Sequence, residues 1–303
     1  MALALGLLAL EAGREIAPRA LAAPAVIYAA PSGTGPVGDG SLAHPYRILW
    51  MAGTQAGPGT TVYVRGGVYL AANEFISVTT GTAAAPVTFS PAPGEHGIVV
   101  SGQQLVVENN QGWNLSLRNT GNSNPSAGGW ASAMNSNPRG DGTPSNDVTF
   151  RNNLVYDAWG EGIGIYATDG AAVYGNTIHD CFGINIYLSQ ARNVVVDRNY
   201  LYSLNDAHNK SGWRATGITM ATEPAPSGLP NPTVMLQHIT LTNNVMVGTG
   251  FGILYFYAAF NIVPENTYQD LRISYNTIRA PQTTAILFQA VKNTTRSCRA
   301  GSS

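Results

Sequence analysis

The densest group of ionisable side chains in this 303-residue chain is Asp206-Ala207-His208-Asn209-Lys210-Ser211-Gly212-Trp213-Arg214. Only 11% of the residues are charged, so cations, an imidazole and a carboxyl gathered in one short segment are candidates for moving protons. The plainer reading is a solvated loop with ordinary surface charges. Asp157 and Asp180 lie 23 residues apart, with Asp206 further on. Carboxylates stacked ~4.8 Å apart repel unless something neutralises them. An oxygen-liganded Ca²⁺ held by Asp157, Asp180 and Asp206 would do so. The other reading is two solvated bend residues accepting backbone N–H bonds. Hydrolysis of a glycosidic bond would need two carboxyls in one cleft, and Glu161, Asp157 and Asp180 form the set the sequence offers. His179, between Tyr156 and Tyr202 in the same pattern, reads as a surface packing residue.

What must position these residues is a repeat. Asp147 to Asp157 is followed by Glu161-Gly162-Ile163-Gly164-Ile165-Tyr166; one period later come Ala171 to Asp180 and Phe182-Gly183-Ile184-Asn185-Ile186-Tyr187. Asn153, Asn176 and Asn199 mark steps of 23 residues. Segments beginning at Ile239 and Leu271 repeat the first half, and Gly217-Ile218-Thr219-Met220 and Gly252-Ile253-Leu254-Tyr255 the second. Apolar and polar residues alternate over short runs rich in β-branched side chains, which reads as strands. One copy cannot bury its apolar side, so Val148, Phe150, Val155, Ile163 and Ile165 are expected inward in a stack of coils. The recurrent Asn suits an inward bend, its amide bonding the backbone and its equivalents in neighbouring coils.

These repeats resemble a right-handed parallel β-helix of the pectate-lyase-like kind, so the expected fold class is all-β, a single solenoid domain over residues 24–303. Lyases of this fold abstract the proton α to a uronate carboxylate with Arg or Lys, commonly aided by Ca²⁺. The resemblance therefore implies elimination on an acidic glycan, with Lys210 or Arg214 as base and His208 as auxiliary acid. The dense Asp-Asp-Gly-x-Asp run of some such lyases is absent. A non-catalytic glycan-binding solenoid and a glycoside hydrolase are the alternatives. Outward positions on the Gly-Ile strands are expected to stack as Gly164, Asn185, Thr219, Leu254 and as Tyr166, Tyr187, Ala221, Phe256. Tyr166, Asn185, Tyr187, Thr219 and Phe256 would then form a shelf for sugar rings, walled by polar insertions at 204–216 and 221–233. Two further insertions are read at 135–146 and 257–269.

Composition narrows the partners. Net charge is −1 and the pI about 6.5, which leaves no basic face for nucleic acid; the resemblance implies a polysaccharide partner, and the chain is expected to be a monomer. Residues 1–23 open with a short apolar run followed by Ala20-Leu21-Ala22-Ala23, an export signal too short to span a bilayer, so the protein is expected to be secreted. Cys181 and Cys298 fall about four coils apart, roughly 19 Å and beyond the ~7 Å reach of a disulfide. A helix within Pro45 to Gln55 is expected to plug the first coil. The polar run after Phe288, where another strand is due, reads as a truncated or frame-shifted end.

Overall fold

Alternating side chains on successive coils stack into three parallel sheets. The computed structural model describes residues 26–31, 38–65, 81–92, 103–115, 132–138, 142–158, 160–204, 212–223, 235–257 and 268–289. The first sheet has nine strands, from Val26–Ala29 to Tyr268–Ser274; the second has six, from Gln111–Leu115 to Thr277–Arg279; the third has six, from Met134–Ser136 to Ile286–Phe288. One coil visits each sheet in turn, as in Ser145–Arg151, Leu154–Ala158 and Glu161–Tyr166, before Thr168–Tyr174 returns to the first. Val148, Phe150, Val155, Ile163 and Ile165 point into the coil and are fully buried, as expected. Val148 lies between Leu105 and Ala171 in its ladder, and Ile163 between Met134 and Ile186. Burying each such aliphatic side chain stabilises the stack by about 1.5–3 kcal/mol.

The corners are set by backbone chemistry. Asn109, Asn152, Gly175, Arg198, Asn243 and Tyr275 all have φ between 54° and 65°, or 52° for Arg198, and each precedes an inward asparagine. Asn, Asp and Gly enter this left-handed region most readily. The inward asparagines then form one ladder through the stack. Asn176 Oδ1 accepts from the Asn153 side chain at 2.9 Å, while Asn176 Nδ2 donates to Asn199 Oδ1 at 2.9 Å and to the Phe150 carbonyl at 3.0 Å. The same bonds recur from Asn110 through Asn276. A second left-handed ladder, Gln104, Asp147, Gly170, Asn193, His238 and Asp270, bends each strand of the first sheet near its start.

The helix Leu49–Gln55 buries Leu49, Ala52 and Gly53 and packs against Val26–Ala29 and Thr61–Val64. It covers the first described coil, starting four residues later than Pro45. Met134–Ser136, read from sequence as the start of an insertion, is instead a strand of the third sheet, paired with Glu161–Tyr166. Cys181 is fully buried with a free thiol, and Cys298 lies outside the described residues, as does the stretch 1–23. No helix among the described residues is long and apolar enough to cross a membrane. In the last described coil, Leu271, Ile273 and Ile278 are only partly buried, because among the described residues no further strand pairs beyond it.

Candidate active site on the third sheet

Ile163 and Ile165 fill the core, so the residues that alternate with them face outward. Gly164 is one of them. A Cβ there would lie 2.4 Å from Tyr166 Cε2 and 2.8 Å from Ser132 Oγ, so only glycine lets the Tyr166 ring lie back along its own strand. The Tyr166 hydroxyl meets Ser132 Oγ at 3.0 Å, and Ser132 Oγ donates to Glu161 Oε2 at 2.9 Å. One coil on, the Tyr187 ring sits 5.3 Å from that of Tyr166 at 46°. The Tyr187 hydroxyl donates to Glu223 Oε2 at 2.6 Å. Gln190 Nε2 holds the Glu223 backbone carbonyl at 2.7 Å. Two carboxyls from coils two apart are thus brought together across a pair of tyrosines.

Their environments differ. Glu161 is 5% exposed, and burial raises its carboxyl above the usual range; the bonds from Ser132 and Tyr166 oppose this, and the Glu223 charge adds to it. Glu223 is exposed. Burial and then the Glu161 charge push the Tyr166 hydroxyl well above the ordinary tyrosine value, and burial and the Glu223 charge do the same to Tyr187. Both phenols therefore act as neutral hydrogen-bonding groups. A buried carboxyl with a raised pKa and a second, exposed one are the pair of groups needed to donate a proton on one side of a bond and activate a nucleophile on the other.

The expected shelf is corrected in two respects. Tyr187 and Thr219 do point outward and are adjacent in one ladder, Gly164–Tyr187–Thr219–Leu254, yet they are only 4% and 2% exposed. Asn185 is not in that ladder. Ile163 pairs with Ile186, not Ile184, which slides Asn185 to the level of Gly162 and Gly217. A Cβ at either glycine would approach core atoms, Ile178 and Cys181 or Met246, so Asn185 belongs to the interior side and is fully buried. Tyr166 is level with Ser189 and Ala221, and Phe256 lies three coils further along that same ladder.

Of the loop candidates, Arg214 is among the described residues. Arg214 sits at the corner after the second sheet, its backbone N–H donating to Gln282 Oε1 at 2.9 Å and its guanidinium to the Gly248 carbonyl at 3.2 Å. Asp206, His208 and Lys210 are outside the described residues. Asp157 and Asp180 stand at equivalent corners, each with φ 51°. Asp180 accepts the Leu204 N–H at 2.7 Å through one oxygen and faces His179 Nδ1 at 2.8 Å through the other, which is the bend role. Among the described residues no three metal-binding side chains gather; Asp206, the third expected Ca²⁺ ligand, lies outside them. His179 is stacked between Tyr156 and Tyr202, at 5.0 and 4.4 Å. Sequence reasoning missed Ser132 and Glu223.

The sequence matches the right-handed β-helix region family over residues 87–269, and the chain belongs to that family. No curated protein matches it. Among similar solved structures is a GH136 lacto-N-biosidase from Eubacterium ramulus, at 9% identity and TM-score 0.42, covering 88% of this chain and 68% of that one. A rhamnogalacturonan lyase matches at 11% identity and TM-score 0.42, over 84% of this chain and 62% of its own. Pectate lyase Pel9A matches at 13% identity and TM-score 0.40, over 93% and 82%.

Proposed function

We propose that the protein hydrolyses a glycosidic bond in a polysaccharide, with Glu161 as general acid and Glu223 as the second carboxyl. The observation that carries this reading is the pair itself: a buried Glu161 with a raised pKa, held by Ser132, and an exposed Glu223 held by Tyr187, on one face of one sheet. Glu161 gives its proton to the glycosidic oxygen as the bond to the anomeric carbon breaks. Glu223 either attacks that carbon or takes the proton of the water that does. Tyr166 and Tyr187 fix the two carboxyls and offer ring surface to a sugar. The export expected from residues 1–23 would place the protein among such polymers.

Elimination on a uronate, implied by the pectate-lyase-like resemblance, rests on Lys210 and His208, outside the described residues, and on Arg214, whose guanidinium is bonded to a corner carbonyl. The two reactions leave different products. Incubation with a panel of plant and bacterial polysaccharides should release reducing ends without an unsaturated, ultraviolet-absorbing product. Glu161→Gln should lower kcat about 10²–10⁴-fold. An unsaturated product, or full activity in Glu161→Gln, would sink the hydrolytic reading.

A further inference from the structure

The sheet that carries Glu161 differs in charge from the other two. Its six strands, Met134–Ser136, Glu161–Tyr166, Ile184–Ser189, Thr216–Thr222, Ile253–Tyr257 and Ile286–Phe288, contain no Lys, Arg or His. The other two sheets do carry cations, for example Arg151, Arg192 and Arg272 on the first and Arg279 on the second. Among the described residues, the only carboxyls on or at the end of the third-sheet strands are those of Glu161 and Glu223, and both bear on the same pair of tyrosines.

A second observation concerns what is left unpaired there. Thr219 is 2% exposed and adjacent to Tyr187 in the outward ladder, yet its hydroxyl has no hydrogen-bond partner. Asn135, level with Gly164 on the other side of Tyr187, has a buried and unpaired Oδ1. A buried polar atom without a partner is destabilising, so both are groups a ligand would satisfy. Asn135 Oδ1 and the carboxyl oxygens are acceptors, and Thr219 can give or take. What they call for is a ligand rich in hydroxyl donors. A uronate carboxylate brings the opposite: more acceptors and a negative charge, beside the exposed Glu223 carboxyl and no cation on the strands.

We infer that the substrate is an uncharged glycan, recognised through its hydroxyl groups by Thr219, Asn135, Glu161 and Glu223, and that uronate polymers are excluded by charge. This rests on the proposed site but is read by binding, so the two ideas fail separately. The test is affinity electrophoresis of the whole protein through gels containing arabinoxylan, mixed-linkage β-glucan, galactomannan, polygalacturonate or alginate, all with EDTA so that no Ca²⁺ bridges carboxylates. Retardation by at least one neutral polymer and by neither acidic one is expected. The Glu161→Gln/Glu223→Gln double variant, checked for a native circular dichroism spectrum, should narrow the preference for neutral over acidic chains by about tenfold or more.

Stronger retardation of the native protein by polygalacturonate or alginate than by every neutral polymer would overturn the inference, whatever the variant does. An unchanged preference in the folded double variant would overturn the charge argument. Binding of neutral chains without any hydrolysis would leave the inference standing and remove the proposed reaction, and cleavage of acidic chains alone would do the reverse. Retardation by none of the five would overturn both.

Discussion

Asn153 gives Asn176 two hydrogen bonds at a single oxygen. The Asn176 Oδ1 accepts the backbone N–H of Asn153 at 3.0 Å and its side-chain amide at 2.9 Å, while the Asn176 amide bonds the Phe150 carbonyl and Asn199. One side chain thus satisfies polar groups of three coils inside an apolar core.

Removing it should be costly. Asn176→Ala removes the acceptor shared by the Asn153 backbone and side-chain N–H groups and one donor to the Phe150 carbonyl, although the Asn153 amide keeps its bond to the Val107 carbonyl; it should lower unfolding free energy by about 2–4 kcal/mol. Asn276→Ala, in a ladder position that is only half-buried, should cost about half as much. Urea titrations of the two variants check this; equal losses would show that the ladder is not what holds the coils in register.

The Glu161 carboxyl ties stability to pH with a definite sign. Its folded pKa is raised above the unfolded value of about 4.3, so the folded state holds the proton more tightly. That contribution is complete below the unfolded value and is lost as pH rises through the folded one. Relative to Glu161→Gln, the native protein should lose thermal stability as pH climbs from about 4 toward neutrality. Melting curves that stay parallel across this window would mean that Glu161 is not buried as described.

Tyr187 tests whether the outward ladder is a surface or a packed layer. At 4% exposure, Tyr187→Ala should destabilise by about 3–5 kcal/mol, and Tyr187→Phe, which loses only the bond to Glu223, by about 1 kcal/mol. Denaturant midpoints for the pair decide it, since an exposed ring would make both nearly silent.

Much of the fold is legible in the sequence because the asparagine steps and the inward Ile163 and Ile165 each have a single physical reading. The site is less so, for reasons particular residues make plain. Gly162-Ile163 and Gly183-Ile184 look alike, but the coil pairs Ile163 with Ile186. A slip of two residues preserves the in-out alternation, so the hydrophobic pattern cannot detect it, whereas a slip of one would have reversed every side chain. Met134–Ser136 is too short and polar to announce a strand. Glu223 is a lone acid after Thr216–Thr222, and its nearness to Tyr187, 36 residues earlier, is set by stacking and has no signature in spacing. The correct register would have pointed to it, since Thr219 and Tyr187 then share a ladder.

The asparagine ladder also bears on how such a chain can lengthen or shorten over generations. Every member offers the same donor to one side and the same acceptor to the other, so duplicating or deleting the coding length of one 23-residue coil rejoins Asn to Asn with no new interface to invent. The carboxyl pair does not share that freedom. Glu161 and Glu223 belong to coils separated by the one that holds Tyr187, so an inserted or lost coil between them would change their separation at once. Size is therefore an inexpensive variable in this architecture everywhere except across those three coils, where inheritance of the carboxyl pair requires inheritance of the count.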